Sequence, residues 1–77
     1  MPTILRANGF RFFIYSNEHL PLHIHVERGG ATAKFNLEPL ELVKSNGFKA
    51  QELKQIREIV DENLQLLREK WNEYFDN

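Results

Sequence analysis

Cysteine is absent from this chain of 77 residues, so neither a disulfide framework nor a thiolate metal site can hold it together. Glycine and proline are scarce, at four and three residues, and no linker, repeat or low-complexity stretch is present. No apolar run is long enough to cross a membrane. Residues 1–6 lack the apolar core of a signal peptide. These absences lead to the expectation of a cytoplasmic protein without membrane contact. The formal net charge is only −1, which argues against a generic nucleic-acid coat protein. A chain this short lies near the lower end of what folds alone, so one domain over 1–77 is expected. Its stability has to come from apolar packing, for which 42% hydrophobic residues suffice, or from a partner chain.

The small net charge conceals an asymmetry. Residues 1–49 carry six Lys/Arg against four Glu, and all three histidines; residues 50–77 carry four basic against seven acidic side chains. A mildly basic first half therefore precedes an acidic second half.

Turn signals divide the first half into strands. Asn8-Gly9 separates residues 3–7 from 10–16, and Asn-Gly is the strongest two-residue hairpin signal because both positions need positive φ. Gly29-Gly30 separates 22–28 from 31–37 in the same way. A two-residue loop fixes register: across Gly29-Gly30, Val26 faces Ala33, His25 faces Lys34, Ile24 faces Phe35 and His23 faces Asn36. One face of this hairpin is then wholly apolar (Leu22, Ile24, Val26, Ala33, Phe35, Leu37). The other is wholly polar (His23, His25, Glu27, Thr32, Lys34, Asn36). Across Asn8-Gly9, Leu5 faces Phe12, Arg6 faces Arg11 and Ile4 faces Phe13. Leu5, Ala7, Phe10, Phe12 and Ile14 make the better core face. The opposite face, with Ile4, Phe13 and Tyr15 beside two arginines, is half apolar and suggests partial cover or a contact surface. Residues 38–44 read equally as an edge strand or a helical turn.

A helix is predicted over about 50–75. Leu53, Ile56, Val60, Leu64, Leu67, Trp71 and Tyr74 recur at steps of three and four, which is one helical face. Lys49 as N-cap places Glu52 at N3 of a capping box, with Phe48 and Leu53 as a hydrophobic staple, although lysine is a poor cap. One straight helix of this length spans about 39 Å, whereas four strands are about 19 Å wide. The last turns, with Trp71, Tyr74 and Phe75, either kink near Asn63 and fold back on the core or make a dimer or partner contact. The expected fold class is α+β: an antiparallel sheet over 3–44, of four strands from two hairpins and a fifth if 38–44 is extended, packed against one long C-terminal amphipathic helix.

The polar ladder is the main candidate for chemistry. His23 and His25 share a face about 7 Å apart, and Lys34 lies opposite His25, where its ammonium favours a neutral imidazole. Three readings compete. The histidines are a solvated sheet face; or they are an acid–base pair, with Lys34, Arg11 or Arg28 stabilising a phosphate, which is all that metal-free RNA cleavage needs; or the His-x-His pair holds a metal, with His19 or Glu27 as a third ligand. Arg6 and Arg11 face each other at a cost, to be relieved by an acid such as Glu41, by a bound phosphate, or by splaying into water.

Residues 1–6, 9–18 and 21–29, with the segment His23-Ile24-His25-Val26 before the glycine turn, resemble the bacterial family called domain of unknown function 4160. The likeness continues through Ala33-Lys34-Phe35, Gly47-Phe48, Glu52-Leu53 and Trp71, essentially the whole chain. Lys49 departs from it, standing where such proteins tend to place a Ser or Thr cap. The resemblance implies a context: such domains are often encoded beside another small domain, and the pairs are classed as toxin–antitoxin modules with this domain as the suggested toxin. It implies His23, His25, Glu27, Arg28 and Lys34 as the matching motif positions. The leading expectation is thus a toxin-like protein acting on RNA without cofactor or metal, paired with an antitoxin-like small protein. His25, His23 and Lys34 are the expected catalytic residues, Arg11, Arg28 and Glu27 the expected substrate contacts. The alternative is a non-catalytic module for homo- or heterodimerisation through the aromatic helix end (Trp71, Tyr74 and Phe75) or through the Ile4, Phe13 and Tyr15 face; a metal-dependent enzyme is the third.

Overall fold

Asn8 and Gly9 take φ values of 52° and 83°, and the first hairpin closes on them. Strands β1 (Thr3–Ala7) and β2 (Phe10–Phe13) pair across it in this computed structural model, which describes residues 3–15 and 21–75. The second hairpin, β3 (His23–Arg28) with β4 (Ala31–Leu37), has the register that Gly29-Gly30 dictates, His25 on Lys34 and His23 on Asn36 included. Residues 38–44 are not helical: β5 (Leu40–Asn46) follows a tight turn and pairs with β4. The sheet is a five-stranded antiparallel meander in the order β1-β2-β3-β4-β5, one strand more than the two hairpins alone supply.

Both edge strands carry one extra residue. On β1 the register steps from Leu5 opposite Phe12 to Thr3 opposite Phe13, so Ile4 does not face Phe13 as strict alternation requires. The bulged Ile4 packs against the core instead. On β5 the register steps from Leu42 opposite Phe35 to Lys44 opposite Lys34, leaving Val43 as the bulge. Bulges and charged side chains are how sheet edges avoid pairing with a second chain.

The long helix expected over 50–75 is two helices, α1 (Ala50–Glu62) and α2 (Leu64–Phe75). Asn63 makes the break with φ −111° and ψ 19°. Its side-chain amide donates to the Ile59 carbonyl at 2.8 Å, competing with the helical ladder, as asparagine does. The helical bond from Leu67 N–H to Asn63 O is kept across the break at 2.9 Å. Beyond Asn63 the helix still lies on the core: Leu67 and Trp71 join it, and Phe75 packs against it. Arg68 ties α2 to the sheet through the Leu37 carbonyl at 3.3 Å and Glu38 at 3.2 Å.

At the start of α1, the Lys49 backbone N–H donates to Glu52 Oε1 at 2.8 Å. Lysine offers no side-chain acceptor, so only this return half of a capping box can form. The core lies between the helices and one face of the sheet, built from Phe10, Phe12, Ile14, Ile24, Val26 and Phe35 against Ile56, Val60, Leu67 and Trp71. No described helix is long and apolar enough to cross a membrane.

The contrast between covered and uncovered apolar side chains is measurable. Ile56 is fully buried, and Ile56→Val should lower unfolding free energy by about 0.5–1.5 kcal/mol in urea titration. Leu42, on the core side of β5 but 39% exposed beyond the helices, should lose no more than about 0.5 kcal/mol as Leu42→Ala. Equal losses would mean that the helical layer covers β5 as well.

Candidate functional site

Helices cover one face of the sheet, and the polar ladder lies on the other. Cross-strand pairing sorts that face into rows. Phe13, His25, Lys34 and Lys44 follow one another across β2, β3, β4 and β5. The row on one side runs Arg11, Glu27, Thr32, Asn46, and the row on the other runs His23, Asn36, Glu41.

The central row opens into a cavity of about 330 Å³ lined by Phe13, Tyr15, His25, Thr32, Lys34 and Lys44 among others. His25 is half-buried in it. Its ring stacks on Phe13 at 5.5 Å and 25°, and meets Tyr15 edge-on at 4.4 Å. Phe13 is buried below, whereas Tyr15 is half-buried at the rim. Lys34 and Lys44 stand directly opposite each other on β4 and β5. Among the described residues, neither has a carboxylate within ion-pair distance.

The structure brings His25 and Lys34 together as expected from the hairpin register. His23 is different: it is 2% exposed and does not line the cavity. Its Nδ1 lies 2.6 Å from the Pro21 carbonyl oxygen. A carbonyl only accepts, so Nδ1 carries the proton. The His23 ring contacts Trp71 at 4.9 Å and His25 at 5.1 Å, both edge-on. It therefore lies between the end of α2 and the imidazole that reaches the cavity.

Arg11 and Glu27 face each other from β2 and β3 and pair at 2.8 Å. Arg11 also donates to Thr3 Oγ1 at 2.7 Å and lies 4.5 Å over the Phe13 ring. The acid that offsets the Arg6–Arg11 opposition is thus Glu27, not Glu41, which lies opposite Asn36 at the far edge. Arg28 is not on this face at all. One residue beyond Glu27, the pleat turns it to the helix side, 4.0 Å over the Phe10 ring. There it donates to Asn8 O at 3.0 Å and to Glu52 Oε2 at 2.7 Å. It clamps a turn to the start of α1 and cannot meet a ligand beside His25.

Trp71 is buried against His23 and Phe75. Of the three aromatic residues expected at a partner contact, Tyr74 is the one that is exposed. No group of three or more His, Asp or Glu side chains close enough to hold a metal occurs among the described residues, and His19 lies outside them.

Sequence reading missed Lys44, and it took Phe13 and Tyr15 for part of a partly covered or contact face of the first hairpin, not for neighbours of His25. Alternation from the β4–β5 turn would aim Lys44 at the core side, and only the Val43 bulge turns it to the cavity. The signal for Tyr15 and Phe13 was the half-apolar outer face of the first hairpin.

Fold and site together define a small α+β protein with one helical layer and an open sheet face that carries an imidazole beside two lysines. The chain belongs to the family described as domain of unknown function (DUF4160), which matches over residues 9–72. No curated protein and no solved structure matches it.

The Arg28–Glu52 clamp gives a pH dependence with a definite sign. The Lys49 backbone N–H and then the Arg28 guanidinium hold the Glu52 carboxyl below its ordinary value. A depressed carboxyl stabilises the fold above its unfolded value, and that stabilisation is lost as pH falls through the folded one. Glu52→Gln should therefore lower Tm at neutral pH, and the deficit should shrink to nothing in acid. A deficit that persisted at low pH would assign the effect to packing and not to charge.

Proposed function

We propose that this protein acts on RNA at the open face of the sheet by metal-free acid–base chemistry centred on His25, as the toxin-like member of a two-protein pair. The observation that carries the reading is the row Phe13–His25–Lys34–Lys44. It brings an imidazole and two ammonium groups to one cavity, and among the described residues neither ammonium has a carboxylate within ion-pair distance. In this reading His25 takes the proton from a 2′-hydroxyl, and the 2′-oxygen attacks the adjacent phosphorus. Lys34 offsets the charge that develops on the phosphoryl oxygens. The bond to the 5′-oxygen breaks, that oxygen takes a proton from water, and the hydroxide so formed takes back the proton held on His25; the products are a 2′,3′-cyclic phosphate and a 5′-hydroxyl. His23 acts through His25: buried and held by Pro21 and Trp71, it is a positioning residue and does not touch substrate.

The competing reading, a dimerisation or antitoxin-binding module without catalysis, draws on Tyr74, Leu42 and Val43 as exposed large apolar side chains. It has less to work with than the sequence suggests, because Trp71 is spent on the core.

Purified protein in EDTA should cut single-stranded RNA to cyclic-phosphate ends, and His25→Ala should slow this by about 10²–10⁴-fold. Induced expression in a bacterial host should arrest growth, and His25→Ala should relieve the arrest. RNA left intact at every pH between about 5 and 8, the range in which imidazole changes charge, would end the catalytic reading and move the binding module into first place.

A further inference from the structure

The cavity's least economical feature is Lys44. Like charges directly opposite on neighbouring strands destabilise a sheet, yet Lys34 and Lys44 are so placed on β4 and β5. Without the Val43 bulge, strict alternation from Leu42 opposite Phe35 would put Val43 opposite Lys34 and send Lys44 to the other face. The extra residue thus creates the opposition. The neighbouring rows show the ordinary alternative. Arg11 meets Glu27 across the strands, and Glu41 lies opposite neutral Asn36. Among the described residues, the row through His25 is where two cations meet with no carboxylate within ion-pair distance, at a cavity that Tyr15 also lines.

We infer that Lys34 and Lys44 form a cradle for one phosphate, and that the ligand they hold is an unpaired nucleotide whose base lies on Tyr15. This rests on the RNA reading and narrows it. An anion between the two ammonium groups turns their repulsion into a shared contact, as phosphate does with lysine. The half-buried Tyr15 ring at the rim supplies the flat apolar surface on which bases stack. A cavity of about 330 Å³ matches the lower end of small-ligand sites, enough for one nucleotide and not for a helix. A base inside an A-form duplex presents only its edge and cannot lie on a ring. The occupant is therefore a single strand.

Fluorescence anisotropy tests this with a short 2′-O-methyl RNA, which cannot be cut through its own 2′-oxygen, offered single-stranded and as a blunt duplex. The single strand should bind at least about tenfold tighter. Lys44→Ala should weaken it by roughly tenfold and reduce the slope of log affinity against log salt by about 0.7, the loss of one phosphate contact on a single strand. Its Tm should stay level or rise, since a repulsion is removed. Lys54→Ala, at an exposed position on α1, should change neither affinity nor slope. Equal binding of duplex and single strand would overturn the unpaired nucleotide while leaving the RNA reading intact. Tight single-strand binding unaffected by Lys44→Ala and Lys34→Ala would overturn the cradle. Folded protein that bound neither RNA would remove both readings together.

Discussion

The pleat of β3 separates the two halves of this molecule's behaviour. Successive side chains point to opposite faces, and only one face of the sheet has helices over it. Ile24 and Val26 enter the core, and Arg28 follows them to that side, where it stacks on Phe10 and holds Glu52. His23, His25 and Glu27 take the other side. A basic residue next to the histidine motif in sequence is thereby removed from it in space, and Lys44, nineteen positions from His25, replaces it. The chemistry available at the cavity is set by cross-strand rows, in which neighbours come from four different strands.

The two edge bulges are the same device with opposite results. At β1 the extra residue moves Ile4 from the outer face to the core, so a partly apolar surface becomes more polar and Thr3 comes within reach of Arg11. At β5 the extra residue moves Lys44 from the helix side to the cavity. Both also interrupt the edge ladder, which makes each edge a poor template for another strand.

Much of this was legible in the residues. Gly29-Gly30 and the two-residue period fix the β3–β4 register pair by pair, and the stripe from Leu53 to Trp71 identifies the core side of the helices. The bulges were not legible, because one extra residue in a strand leaves no mark in composition and is decided by packing on both sides. The break at Asn63 was half visible: the stripe runs through it unbroken, and only the mismatch between helix length and sheet width pointed to it. For Trp71 the stripe argued core and the terminal position argued partner; its burial against His23 decides for the stripe. The burial of His23 was out of reach. Alternation puts it correctly on the polar face, but its cover comes from the end of α2, a tertiary contact that no strand pattern encodes.

That cover links α2 to the cavity. Trp71 lays a large apolar ring on the imidazole, and burial of this kind is among the strongest single contributions a small core receives. His23 is thereby held between Trp71 and the Pro21 carbonyl, which fixes both its orientation and its Nδ1 proton. The ring so fixed forms one wall around His25, with Phe13 beneath and Tyr15 at its edge. Three aromatic neighbours leave the His25 imidazole, which lines the cavity beside Phe13 and Tyr15, little rotational freedom. The carboxy-terminal helix, which contributes no side chain to the cavity lining, is in this way part of what holds its imidazole in place.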